Sequence, residues 1–128
     1  MRKPVILDVN PDTEEREWET DFLQRLEAHV VGCGGPRSPG ACPLLRGKEC
    51  PKVTQADGIL FRLDLGTEDN RRILETYADK LDIPIMAVVR EGDSERYPDV
   101  LSKVQSTEHE PGPALLDGFE AEVESELD

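Results

Sequence analysis

Cys33, Cys42 and Cys50 fall in one short stretch of this 128-residue chain, and His29 stands four residues before the first of them. Three thiolates and an imidazole form a donor set for Zn²⁺ or an iron–sulfur cluster. Without a metal, the same thiols could work as a redox sensor. Two Cys-Pro pairs, Cys42-Pro43 and Cys50-Pro51, add a dipeptide that also occurs at iron–sulfur and haem ligands. Against this chemistry, no Cys-x-x-Cys knuckle preorganises two sulfurs, and an odd count makes no disulfide framework. The alternative is structural, because free cysteines often serve as small buried hydrophobes and the segment is then a long connection. Arg37, Arg46, Lys48 and Lys52 collect around the same cysteines, a basic patch able to lower thiol pKa values.

Carboxylates supply a second candidate chemistry. Asp64 ends the run Asp57-Gly-Ile-Leu-Phe-Arg-Leu-Asp64, while Asp8 and Asp12 lie near the end of Val5-Ile-Leu-Asp-Val-Asn-Pro-Asp12. A strand-end Asp accepts a phosphoryl group where a metal and a cation neutralise the oxygens; elsewhere it caps a helix or turns the chain. Gly32, Gly34 and Gly35 make no phosphate loop, since Pro36 follows and no helix offers its N-terminus to an anion. His29 and His109 are the only histidines, too scattered to argue a Ser-His-Asp or Cys-His constellation.

Four apolar runs would position these residues. Pro4 to Val9 suits a buried strand, and Asp12 with Glu15 has the spacing of a capping pair before a helix carrying Trp18, Phe22, Leu23 and Leu26, with Trp18 and Phe22 facing the core. His29 to Gly32 is a second strand, opening into an irregular Gly- and Pro-rich loop over 33–55. Ala56 to Leu65 is a third strand, followed by a helix capped by Thr67 and striped by Ile73, Leu74, Tyr77 and Leu81. Ile83 to Val89 is a fourth, and Tyr97, Val100, Leu101 and Val104 mark a further helix with Pro98 in its first turn. Strands that alternate with helices and read as near-continuous apolar runs predict an α/β fold: a small doubly wound parallel sheet of about four strands, flavodoxin-like. In the usual order, the strand ends at 10–12 and 64–67 adjoin at the switch point, where ligands bind.

The stretches Val5 to Asp12, Asp57 to Asp64 and Ile83 to Val89, with an amphipathic helix after the first, resemble the receiver domain of bacterial response regulators over about residues 4–104. The resemblance implies a site built from an acid pair after the first strand that binds Mg²⁺, and a phosphoacceptor Asp after the third. A hydroxyl residue after the fourth strand and a Lys after the fifth complete it. Asp64 aligns as acceptor, at an offset from Asp57 longer than the family's usual spacing. Asn10-Pro11 stands where the acid pair is expected, Val89 and Arg90 occupy the hydroxyl position, and no fifth strand with a Lys is evident. This looks like a degenerate receiver, one that works by binding.

The formal net charge is −13, and it is unevenly spread. Residues 1–105 hold 20 acids and all 15 bases, whereas 106–128 hold 8 acids and no base. This divides the chain into a receiver-like domain, 1–105, and an acidic tail, 106–128, in which Leu116, Phe119, Val123 and Leu127 recur on one face of a short helix starting near Pro113. The tail either frays or docks through those four residues on a groove in this chain or a partner, and its charge predicts contact with the basic cysteine loop. Acid excess argues against nucleic-acid and anionic-membrane roles. With no apolar run of membrane-spanning length and no signal segment, a cytoplasmic protein is expected. The leading expectation is a non-enzymatic regulatory module acting on a protein partner. The alternative is a metal, iron–sulfur, haem or thiol redox sensor, and a third class is a small-molecule binder or enzyme using the acids at the sheet edge.

Overall fold

The computed structural model describes residues 3–36, 38 and 40–127, so Arg37 of the basic patch lies outside them. Its strands are β1 (Val5–Val9), β2 (His29–Cys33), β3 (Gly58–Phe61), β4 (Ile85–Val88) and β5 (Gln105–Thr107). They form one sheet in the order β2-β1-β3-β4-β5, every pairing parallel. The helices are α1 (Thr13–Arg25), α2 (Pro51–Thr54), α3 (Glu68–Lys80), α4 (Asp93–Arg96), α5 (Pro98–Leu101) and α6 (Pro113–Ser125). A 3₁₀ turn at Pro43–Arg46 interrupts the cysteine loop.

Because successive strand residues point to opposite faces, the central strands divide the core in two. Leu7, Val9, Ile59, Phe61, Ile85 and Ala87 pack with Ile73, Leu74 and Tyr77 of α3, Val53 of α2, and Val100 and Leu101 of α5. Ile6, Leu60 and Val88 face the other way, onto Leu23 of α1 and onto Leu116, Phe119 and Val123 of α6. Asp12 caps α1, its Oδ1 accepting from the Glu15 amide at 3.1 Å. Thr67 is the N-cap of α3, but its side chain makes no capping bond.

Three expectations are corrected. The sheet has five strands, not four: β5 reads Gln-Ser-Thr, with no apolar pattern, because it is a half-exposed edge held by backbone pairing to β4. Val89 N donates to Thr107 O at 2.9 Å to close that ladder.

Residues 106–125 are no appendage. β5 straddles the boundary drawn at residue 105, and α6 is the final crossover helix. Leu116, Phe119 and Val123 are buried in this chain's own core, which makes them unavailable to a partner, while Leu127 is half-buried beyond the helix end. Their burial is worth about 5–8 kcal/mol as an upper figure. α6 approaches so closely that a Cβ on Gly58 would strike Val123 and touch the Phe119 ring. The acidic helix and the basic cysteine loop lie on opposite faces of the sheet, so they do not meet.

Finally, Trp18 departs from the face expected of α1, on which Leu23 is buried and Phe22 and Leu26 pack against the same cluster. Trp18 is 47% exposed, stacked on Phe22, and the side facing the sheet carries Glu19 and Leu23.

Candidate functional site at the strand ends

Arg62 is the first residue after β3, and its amide donates to Val9 O at 2.7 Å. Alternation from Leu60 turns its side chain toward α1, where the guanidinium meets three carboxylates. Nη1 lies 2.6 Å from Glu19 Oε2, and Nη2 lies 3.2 Å from Glu15 Oε2 and 2.8 Å from Glu110 Oε2. The Glu19 side chain is fully buried and that of Arg62 is 9% exposed, while Glu110 reaches in from solvent. Asn10 joins the cluster, its Nδ2 donating to Glu19 Oε1 at 3.3 Å and its Oδ1 accepting from the Asp12 amide at 2.9 Å. Burial works against the charge on Arg62, but its bonds to Glu19 and Glu110 prevail and hold its pKa above the usual value.

Asp8, one residue inside the end of β1 and opposite Leu60, is wholly buried, and no donor faces either of its oxygens. Burial, with the adjacent Glu19 carboxylate adding to it, pushes its pKa up to about 9. At neutral pH Asp8 therefore carries a proton, and the acid can donate it to Glu19.

Asp64 stands two residues beyond the strand-end position, exposed in the β3–α3 loop. Its Oδ1 accepts from the Gly66 amide at 2.8 Å, its carbonyl accepts from Asn70 Nδ2 at 2.8 Å, and its Oδ2 lies 3.4 Å from Arg90. These are the bonds of a turn residue. After β5, Glu108 accepts from the amides of Gly92 at 3.0 Å and Ser94 at 3.3 Å. Those bonds tie down the loop after β4 and lower the Glu108 pKa.

No family model matches the chain, and no curated protein sequence matches it. Solved structures do. The chemotaxis protein CheY4 of Vibrio cholerae superposes with a TM-score of 0.67 at 13% identity, covering 94% of this chain and 98% of its own. A CheY-like response regulator receiver domain protein from Methanospirillum hungatei gives 0.69 at 16%, covering 96% and 95%. The beryllofluoride-activated receiver domain of Klebsiella pneumoniae RstA gives 0.65 at 16%, covering 93% and 97%. The chain folds as a receiver domain.

At the strand ends one cation stands among several carboxylates. The place immediately after β3, where a receiver's acceptor carboxylate is expected, holds the cation Arg62, and the segment after β5, where the Lys is expected, holds Glu108 and Glu110. Glu110 pairs with Arg62 across the cleft. Asn10 and Pro11 follow β1, where the resemblance leads an acid pair to be expected, and buried Val89 follows β4, where it leads a hydroxyl to be expected. These residues do not fit Mg²⁺: the Arg62 guanidinium already occupies the space between the carboxylate oxygens a metal would bridge, and Asp8 is the protonated acid beneath them.

Cys33, Cys42 and Cys50 are free, half-buried thiols around one cavity bordered by Tyr77. His29 does not join them. It pairs with Val5 at the opposite end of β2 from Cys33, about 13 Å away at roughly 3.3 Å per residue. Among the described residues, no three His, Cys, Asp or Glu side chains are grouped to hold a metal ion. The basic residues do not activate Cys42, whose pKa is pushed up, chiefly by burial.

Proposed function

We propose that this chain is a non-enzymatic regulatory module of pseudo-receiver type, acting through contact with a protein partner. The receiver fold supports a regulatory signalling module. The observation that carries the finer reading is the Arg62 guanidinium bound by Glu19, Glu15 and Glu110 at the strand end.

Phosphoryl transfer to a carboxylate develops negative charge on oxygens that a metal and a cation must stabilise. Here the cation occupies the acceptor's own position and the carboxylates surround it, so the charges favour a standing ion-pair network over a phosphorylation cycle. The module's conformation is then set by what binds to it. Among the described residues, no helix is long and apolar enough to cross a membrane.

Incubation of the full chain with acetyl phosphate and Mg²⁺, followed by intact-mass analysis, tests this reading. The expected result is no phosphoryl adduct under conditions that label an ordinary receiver. A hydroxylamine-labile adduct mapped to Asp64, or to any other Asp, overturns it.

A further inference from the structure

The connection from β2 to β3 lacks the full helix that covers this sheet face elsewhere, and in its place the chain uses an irregular loop, one 3₁₀ turn and the single turn of α2. A regular helix would lay a stripe of side chains on the sheet. This loop instead roofs a cavity of about 250 Å³. The floor is Leu7 and Val9 of β1, one wall is Ile73 and Tyr77 of α3, and the roof carries Cys42 and Cys50. Nearly every lining group is carbon or sulfur, so an apolar ligand body seated there would gain by leaving water.

A further observation points to an occupant. The mouth is cationic. Cys33, Gly35, Pro36 and Lys52 are shared with an adjoining recess that Arg16 also lines. Lys52 Nζ and Arg16 Nη1 donate only to backbone carbonyls, Gly32 O and Asn10 O, each at 2.8 Å. Among the described residues, neither forms an ion pair with a carboxylate, in a chain of net charge −13.

We propose that this cavity is a binding site for a compact organic acid, its apolar body among the cysteines and Tyr77 and its carboxylate at the mouth beside Lys52 and Arg16. The sulfurs serve as polarisable wall, and nothing in the site depends on Arg62 or on the absence of phosphorylation.

The test is a titration of the ¹⁵N-labelled full chain with octanoate, with octylamine and octanol as cationic and neutral molecules of matched chain length, followed by amide shifts. Octanoate is expected to give saturable shifts at Cys33, Gly35, Cys42 and Leu44, and octylamine none. Lys52→Gln is expected to weaken octanoate about five-fold while leaving octanol unchanged, the size of one partly exposed ion pair. Ala41→Trp, at an exposed lining position, is expected to close the cavity and abolish the shifts. Equal binding of octanoate and octylamine overturns the assignment, as do shifts that survive Ala41→Trp or the absence of saturable shifts with octanoate. The comparison of octanoate with octylamine on the unmodified chain decides the matter even if a variant fails to fold.

Discussion

Replacing Asp8 with Asn keeps the shape of the protonated acid and an N–H able to donate to Glu19, and it removes the need for the folded chain to hold a proton. The Asp8 pKa rises from the ordinary 3.8 to about 9 on folding. Between those values the folded state binds one proton more than the unfolded state, so stability falls as pH rises through that window and is least affected below the lower value. Each pH unit inside it is worth about 1.4 kcal/mol, which makes the cost of keeping Asp8 protonated at pH 7 about 4 kcal/mol. That figure is a ceiling, because water entry and local relaxation soften such penalties, and a gain of about 2–4 kcal/mol is expected from Asp8→Asn. Set against the roughly 5–15 kcal/mol that hold a domain together, this is a large change. Urea unfolding of both proteins at pH 5, 6, 7 and 8 measures it. Glu120, also raised by burial and by neighbouring Glu124, contributes to both profiles, so the difference between the two curves isolates Asp8. That difference should widen steadily from pH 5 to pH 8. Parallel curves, or a variant less stable than the parent at pH 8, would refute the buried-proton argument.

Three further perturbations probe the same architecture. Arg62→Met strands the fully buried Glu19 without its cation, and a loss of about 3–5 kcal/mol in chemical denaturation is expected, recovered in part by adding Glu19→Gln; a loss below about 1 kcal/mol would mean the network does not hold the strand end. Gly58→Ala places a methyl group against Val123 and Phe119 of α6 and should cost about 1–3 kcal/mol, whereas deletion of residues 111–128 uncovers Ile6 and Leu60 and should abolish the cooperative transition. At pH 7.5, Cys42 should be alkylated by iodoacetamide more slowly in the native chain than in urea, because burial raises its pKa; faster native labelling would restore the reactive-thiol reading.

The parallel sheet was legible because its central strands are buried on both faces, so Val5–Val9, Gly58–Phe61 and Ile85–Val88 all read as apolar runs. What defines β5 is an edge ladder to β4 and not side-chain burial, and composition cannot register a strand held by backbone bonds alone. The acidic tail misled for a related reason. Charge counts average over all faces of a helix, and α6 carries Leu116, Phe119 and Val123 on the one face that matters while its acids, buried Glu120 apart, lie on the others.

The site was harder to read because its decisive residue is fixed by a strand boundary. Asp64 lies near the end of the run expected as the third strand, but β3 closes at Phe61, and only the pairing of Val9 with Phe61 shows that Arg62 and Asn10 stand together at the sheet's edge. The long offset from Asp57 to Asp64 was the one local sign that a different residue holds the strand-end place.

The register of α1 follows from the same cause. The aromatic spacing of Trp18 and Phe22 favours one face, but a guanidinium delivered by β3 needs a buried acid opposite it. Glu15 and Glu19, one helical turn apart, supply two such acids when the helix turns Trp18 outward. Burying Trp18 would gain apolar area yet leave Arg62 desolvated and unpaired, and an uncompensated buried charge costs more than the 1.5–3 kcal/mol or so that one large side chain gains by burial. A helix face chosen by a residue more than 40 positions away in the chain cannot be found from local periodicity. It can be found once the strand-end cation is recognised, because that cation needs a carboxylate at hydrogen-bonding distance on the element packed above it.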